Sequence, residues 1–328
     1  MMAGLSTRAA LLIAVTLAIA IVVPFGLDPR GYAIRILCLA LLFAAMAQAW
    51  NIVAGLANQM SLGHAAFFGI GAYTSTLLLI QFGLSPWLGM IAGGVFGGIA
   101  ALVISVPTMR LKGHYFALAT LAFGEVMRVI ANSWGSLTGG PVGISVPFSQ
   151  PSLALFQFKE TRPYYWLMLG ALVVVTIIFV AIQRSRLGYR LRAIKENVDA
   201  AEVIGVDTTR TKIIAAVISG SLTAMLGTFY AQFQFFFDPD TVFGVASISV
   251  RIALIAIVGG IGTAIGPILG AFFIIPIEEL ANQAFSDKAA GLSQLVFGTL
   301  LVIVILVEPR GFVAMGRRLV RRFKGSGS

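Results

Sequence analysis

The chain has 328 residues, 58% of them hydrophobic and only 11% charged, with a mean hydropathy of +0.94. That balance excludes a water-soluble globular surface; lipid must solvate most of the chain, which makes it an all-α polytopic membrane protein. The net charge of +10 does not mark a nucleic-acid binder, because the basic residues flank apolar runs, and the lone Cys38 within such a run supports neither a disulfide nor a metal cluster.

A spanning helix needs about 20 mostly apolar residues. The first candidate, Ala9 to Phe25, reads as a signal peptide or as a span; the second is favoured because no small-residue cleavage site precedes Asp28 and another apolar run follows at once. Tyr32 to Val53 and Leu62 to Ile80 come next, separated by a polar group of Asn51, Gln59, Ser61 and His64 among the helix-weakening Gly55 and Gly63. A nonhelical entry to the third span is expected there. Polar groups in lipid line a path or gate, or bond to freed backbone as a helix cap; the cap reading is favoured. Ser61 and His64 also fit the nucleophile and base of an intramembrane hydrolase, a weaker reading without an oxyanion or third-member signal.

Trp87 to Val106 carries Gly89, Gly93 and Gly97, and Gly94 with Gly98, a four-residue spacing that lets helix backbones approach in lipid. Tyr115 to Ile130 holds Glu125 and Arg128 on one helical face, either a structural ion pair or a group near the translocation path. An outer loop, 132–163, follows, rich in Gly, Pro and Ser, with Leu155 to Phe158 as a short strand or interfacial anchor.

After Tyr164 to Ile182 comes the charged loop Arg184 to Lys212. Leu187, Leu191, Ile194, Val198 and Ala201 recur at helical intervals and predict one amphipathic helix, ended by Gly205, with Asp207-Thr208-Thr209 capping the span Ile213 to Phe235. Such a helix lies passively at the headgroups or offers a handle to a soluble partner. Ile248 to Leu280 is too long for one ordinary helix and is interrupted by Gly259 to Pro267, Thr263 among them, so it predicts a broken hairpin with Gly262, Gly266 and Gly270 in its packing seam. Glu278 and Glu279 fall near its outer end, where water or a partner meets them. Leu292 to Val307 is the last span, before a basic tail at 309–328.

Counting the hairpin as two passes gives about ten in one transmembrane domain over 1–328, with both termini cytoplasmic. Arg8, Arg110, Lys112, the basic residues of 184–212 and those of the tail then fall inside, while Arg30, Arg35, Lys159, Arg162, Arg251 and Lys288 are nearly balanced outside by Asp28, Glu160, Asp238, Asp240 and Asp287. One pass would put the basic tail outside.

Asp199-Ala200-Ala201-Glu202-Val203-Ile204-Gly205 resembles the coupling-loop motif of ABC importer permeases, with Asp199 where the wider superfamily usually has glutamate. Asn51 to Tyr73, Leu137-Thr138-Gly139-Gly140, and Gly259 to Thr263 with Gly266-Pro267 resemble, in order and spacing, the branched-chain amino acid permease family, in particular its LivM-type subunit. The resemblance covers about Asn51 to Pro276 and implies an ABC importer permease fold in a bacterial inner membrane. It also implies a second homologous permease subunit, two cytoplasmic ATPase subunits and a periplasmic or lipid-anchored amino-acid binding protein. The coupling residues would be Asp199, Ala200, Ala201, Glu202 and Gly205; Asn51, Gln59, Ser61, His64, Glu125, Arg128 and Thr263 are the candidates for a pathway or gate. The chain has no Gly-x-x-x-x-Gly-Lys-Ser/Thr phosphate loop, so ATP and magnesium would sit on the partner ATPases and no cofactor on this chain. A urea or amide permease of the same family and a self-sufficient secondary transporter remain as alternatives.

Overall fold

The computed structural model describes residues 15–285 apart from 17, 112 and 150, together with 295, 298, 299, 306 and 311–315. The start of the first expected span, Lys112, most of Leu292 to Val307 and most of the basic tail lie outside the described residues.

Among the described residues, six helices are long and apolar enough to cross a membrane: α1 (Tyr32–Ala57), α2 (His64–Phe82), α3 (Pro86–Thr108), α4 (His114–Ser133), α5 (Thr161–Arg184) and, after the charged loop, α8 (Thr208–Gln234). In the loop lie α6 (Arg186–Glu196) and α7 (Val198–Val203). The hairpin follows as a π-helical turn (Val245–Val250) leading into α9 (Arg251–Gly259), then α10 (Gly266–Phe285).

The sequence of α1 is apolar on every side, the pattern of a helix surrounded by protein. The most apolar stretch of α1 is accordingly 94% buried, and α5, α8, α9 and α10 pack around it, with α6 against its end. It ends where Asn58 turns left-handed (φ 54°) and gives its N–H to Ala54 O, while Gln59 N–H reaches Val53 O. Residues 58–63 are not helical, as the sequence anticipates, and α2 starts only at His64.

α2, α3 and α8 meet backbone to backbone. A Cβ on Gly71 would lie 1.8 Å from Ala224 O, one on Gly227 2.2 Å from Phe68 O and one on Gly97 2.3 Å from Ala224 Cβ. These approaches exist only because the residues are glycine. The second seam of α3 faces Met225 and Ser221 of α8 through Gly94 and Gly98. In the hairpin, Gly270 of α10 abuts Ile255 O and Gly259 abuts Gly266 O, so its two arms close on each other.

Side-chain contacts fix which ends lie together. At one end Arg35 donates to Gln234, Tyr32 to Glu279, Arg162 to Pro24 O and Leu27 O, and Arg128 to Asp240. At the other end, Gly262 in the hairpin turn rests on Gly55. α10 therefore runs antiparallel to α1, from the level of Gly55 to that of Tyr32. Glu278 is paired with Arg251 at 2.6 Å and Glu279 accepts from Tyr32, so neither is a free outer-surface charge.

The described residues of the 132–163 loop pack over the Tyr32 end of the bundle. The loop's strand β1 (Ile144–Ser145) pairs antiparallel with β2 (Phe236–Phe237), Ile144 opposite Phe237. Leu155 to Phe158 is neither a strand nor an interfacial anchor: it closes a turn with one isolated bridge between Ser152 and Gln157, and Phe156, 1% exposed, is buried in the protein, stacked on Trp87 at 5.0 Å.

Candidate functional site

The charged loop departs from the expected single helix. Ser185 caps α6 by accepting from Gly188 N–H, but the chain extends at Asn197 (φ −159°, ψ 119°), whose side chain then accepts from Ala200 N–H to start α7. Asparagine competes with the helix by bonding nearby backbone, so the apolar periodicity runs on while the axis breaks. Leu191 and Ile194 of α6 are buried against the bundle.

On α7 the motif residues divide by environment. Ala201 is 2% exposed and points inward; Asp199, Ala200 and Glu202 are exposed, with Glu202 accepting from the Thr208 hydroxyl at 2.6 Å. Gly205 takes φ +85°, a conformation costly for any residue with a Cβ, and lets Val206 N–H return to Ala201 O. Asp207 then caps α8 by accepting from Arg210 N–H, as expected. The turn thrusts Val203 and Ile204 outward, 87% and 74% exposed. Two adjacent apolar side chains held this far out on a capped turn form an exposed apolar knob.

The polar group between α1 and α2 separates into two sets. Asn51 reaches the hairpin turn, accepting from Gly262 N–H at 2.7 Å and donating to Thr263 O at 2.9 Å. The Thr263 hydroxyl donates to Gly260 O and accepts from Gly266 N–H, capping α10. The second set surrounds His64. The hydroxyl of Ser219 on α8 donates to Ala49 O, so at 2.8 Å it accepts from His64 Nε2–H, leaving Nδ1 to accept from the Ser61 hydroxyl at 3.1 Å. Trp50 Nε1–H donates to Ser61 O, Thr120 accepts from Leu62 N–H and Ser249 from Ala65 N–H. His64 and Ser61 do meet, as a hydrolase requires, but His64 is 1% exposed and its other nitrogen rests on a hydroxyl instead of a carboxylate. This set joins α1, α2, α4, α8 and the π-helical turn. Gln59 contributes to neither set through its buried Oε1, which has no partner among the described residues.

Glu125 and Arg128 form the expected pair at 2.8 Å, and Arg128 also donates to Asp240 at 2.6 Å. Asn132 donates to the same Asp240 oxygen, and these bonds, that from Arg128 first, hold the Asp240 carboxyl below its ordinary range. The cluster lies at the end of the bundle opposite α7. Sequence reasoning missed Ser219 as the partner of His64, and Gln183 and Lys195, which donate to the backbone at Gly262 O and Gly55 O; only Ser219, a hydroxyl inside an apolar run, left a trace that could have been followed.

Comparison with known proteins agrees with this architecture. The family described as branched-chain amino acid transport system / permease component matches residues 32–305. The chain is 29% identical over 346 residues to the high-affinity branched-chain amino acid transport system permease protein LivM of Escherichia coli (strain K12), covering 98% of this chain and 79% of that protein. It is 30% identical over 337 residues to LivM of Salmonella typhimurium (strain LT2), covering 96% and 77%. A probable branched-chain amino acid transport permease protein LivH of Methanocaldococcus jannaschii is 23% identical over 282 residues, covering 81% and 86%. The chain, a multi-pass helical membrane protein, belongs to the branched-chain amino acid transport permease family.

Proposed function

We propose that this chain is the LivM-type permease subunit of an ATP-driven importer for branched-chain or related amino acids in a bacterial inner membrane. It works beside a second, homologous permease, over two cytoplasmic ATPases, and receives substrate from a periplasmic or lipid-anchored binding protein. The 184–212 loop is the ATPase-coupling element, with Ala201 anchoring α7 from within and Asp199, Ala200, Glu202 and the Gly205 turn presenting it. The observation that carries this reading is the Val203–Ile204 knob raised inside the Asp199 to Gly205 motif.

Both termini are cytoplasmic and the chain crosses about ten times, the hairpin counting as two passes. Two features support this topology. α10 spans the length of α1, and residues 311–315 pack against the hairpin turn, on the side of the charged loop, with Gly311 beside Ile257 O and Gly260. Asn51 and Thr263, with Ser61 and His64, set how the helices around the pathway are joined, while Glu125 and Arg128 face the side from which substrate is delivered. The binding protein holds most of the selectivity. ATP hydrolysis takes place on the partner subunits, and this chain converts their movement into alternating access.

The test is a pull-down of the detergent-solubilised complex, comparing the native chain with one carrying Ala201→Asp and Gly205→Asp. Two ATPase subunits should copurify with the native chain and be lost from the variant. No ATPase in either sample would refute the importer reading in favour of a secondary transporter.

A further inference from the structure

We propose that Lys195 is a positioning residue for transport, the point at which movement of the cytoplasmic loop enters the centre of the bundle. The proposal rests on the importer reading above. α6 lies on the bundle through Leu191 and Ile194, and from the same helix the Lys195 ammonium donates to Gly55 O at 2.9 Å. Gly55 belongs to the last turn of α1, where the carbonyls of Val53 and Ala54 are taken by Gln59 and Asn58 N–H. Lys195 supplies the donor for the next carbonyl. A cation at a helix C-terminus is also favoured by the aligned peptide dipoles, and the bond is charge-assisted.

The same ammonium sits against the hairpin turn, where a Cβ on Gly262 would be 3.5 Å from Nζ and 3.0 Å from Gly55 O. That turn is held from two more sides: Asn51 of α1 bonds Gly262 N–H and Thr263 O, and Gln183 at the end of α5 donates to Gly262 O at 3.3 Å. One cation of the loop thus joins α6, the end of the central helix and the broken hairpin. The peptide planes at Gly55 and Gly262 touch, since a Cβ on Gly55 would fall 2.8 Å from Gly262 Cα and N, so neither element can shift at this level without the other. A close-packed interior transmits such a shift. Because α1 is enclosed by its neighbours, displacement of its end reaches the helices around it. Movement of α7 therefore has a route to the core beside the direct one into α8.

A cap that only stabilised α1 would raise its stability without affecting the yield of transport from hydrolysis. The two roles separate in proteoliposomes containing the whole complex with its binding protein, where ATP hydrolysis and uptake of radiolabelled leucine, isoleucine and valine are measured on the same vesicles. Lys195→Met should retain both ATPases and hydrolyse ATP within about twofold of native, yet transport at least tenfold less amino acid per ATP. Lys195→Arg, which restores the cation, should recover most of that ratio. A ratio in Lys195→Met within twofold of native overturns the proposal, as does a Lys195→Arg variant no better than Lys195→Met. Should Lys195→Met fail to assemble, Gln183→Leu decides, because it removes the neighbouring bond to Gly262 O without leaving an unpaired charge. A fall of threefold or more in its ratio supports the route, and an unchanged ratio overturns it. A native chain that recruits no ATPase would instead overturn the importer reading.

Discussion

Replacing Gly71 by alanine tests whether the α2–α3–α8 seam is held at the backbone. The new methyl would lie 1.8 Å from Ala224 O and 2.4 Å from its carbonyl carbon, with no flexible side chain to swing aside. Relief requires α2 and α8 to part by more than about 1 Å, which also loosens Gly227 against Phe68, so overpacking should cost about 3 kcal/mol. Helix propensity returns about 1 kcal/mol. The net loss of about 2 kcal/mol corresponds, for a chain of 328 residues, to a fall of roughly 3 °C in apparent Tm, followed by heating the solubilised chain and measuring its monodisperse fraction. Gly170→Ala on α5 is the matched control: nothing lies within 4 Å of its added methyl, so it should leave Tm unchanged or raise it slightly. Equal Tm values for the two variants would refute the backbone-contact account.

Asn51→Ala should lower stability by about 2–4 kcal/mol, because Gly262 N–H and Thr263 O both lose their partner inside the bundle; a thermal shift below about 0.5 kcal/mol would remove the clamp. Glu278→Gln leaves Arg251 facing a neutral amide and should destabilise by about 3 kcal/mol, whereas Glu278→Gln with Arg251→Met should recover most of the loss, read by the same melting assay. Because the folded-state pKa of Asp240 is depressed by Arg128 and Asn132, its contribution is present above the ordinary Asp value of 3.8 and is lost as pH falls through the lower folded value. Asp240→Asn should therefore lower stability at neutral pH, by a small amount because the carboxylate is mostly exposed, and the two melting profiles should converge as pH falls through the folded value.

Six of the spans were legible because lipid demands long apolar runs, and the hairpin because Gly259 to Pro267 interrupts one too long for a single helix. Which helix sits at the centre was less so: α1 is apolar on every face, and periodicity cannot separate enclosure by protein from enclosure by lipid. The break at Asn197 was hidden because the apolar spacing continues across it while the local side-chain bond to Ala200 N–H ends the helix. Lys195 read as one more charge on a polar face. Its partner Gly55 is 140 residues away and is a backbone carbonyl, which leaves no mark in a single sequence. The Glu125–Arg128 pair was local and visible, whereas Asp240, which completes it, comes from a different loop.

The polar residues of the membrane interior bear on how such a permease moves. Asn51, Ser61, His64 and Thr263 each direct polar atoms to backbone or hydroxyl groups of neighbouring elements. A group so engaged meets a passing solute only after its bonds break, at about 1 kcal/mol net for each and more where a buried partner is left unpaired. Ser219 bonded to Ala49 O and His64 ties α8, the span that follows the charged loop, to α1 and α2, while Asn51 ties α1 to the hairpin. These bonds join elements whose facing surfaces carry glycine and small residues, which let the backbones approach closely. They decide which helices travel together. On the proposed coupling, a displacement arriving through the loop would move α1, α2, α4, α8 and the hairpin as a set, and access would change where that set meets helices it does not bond.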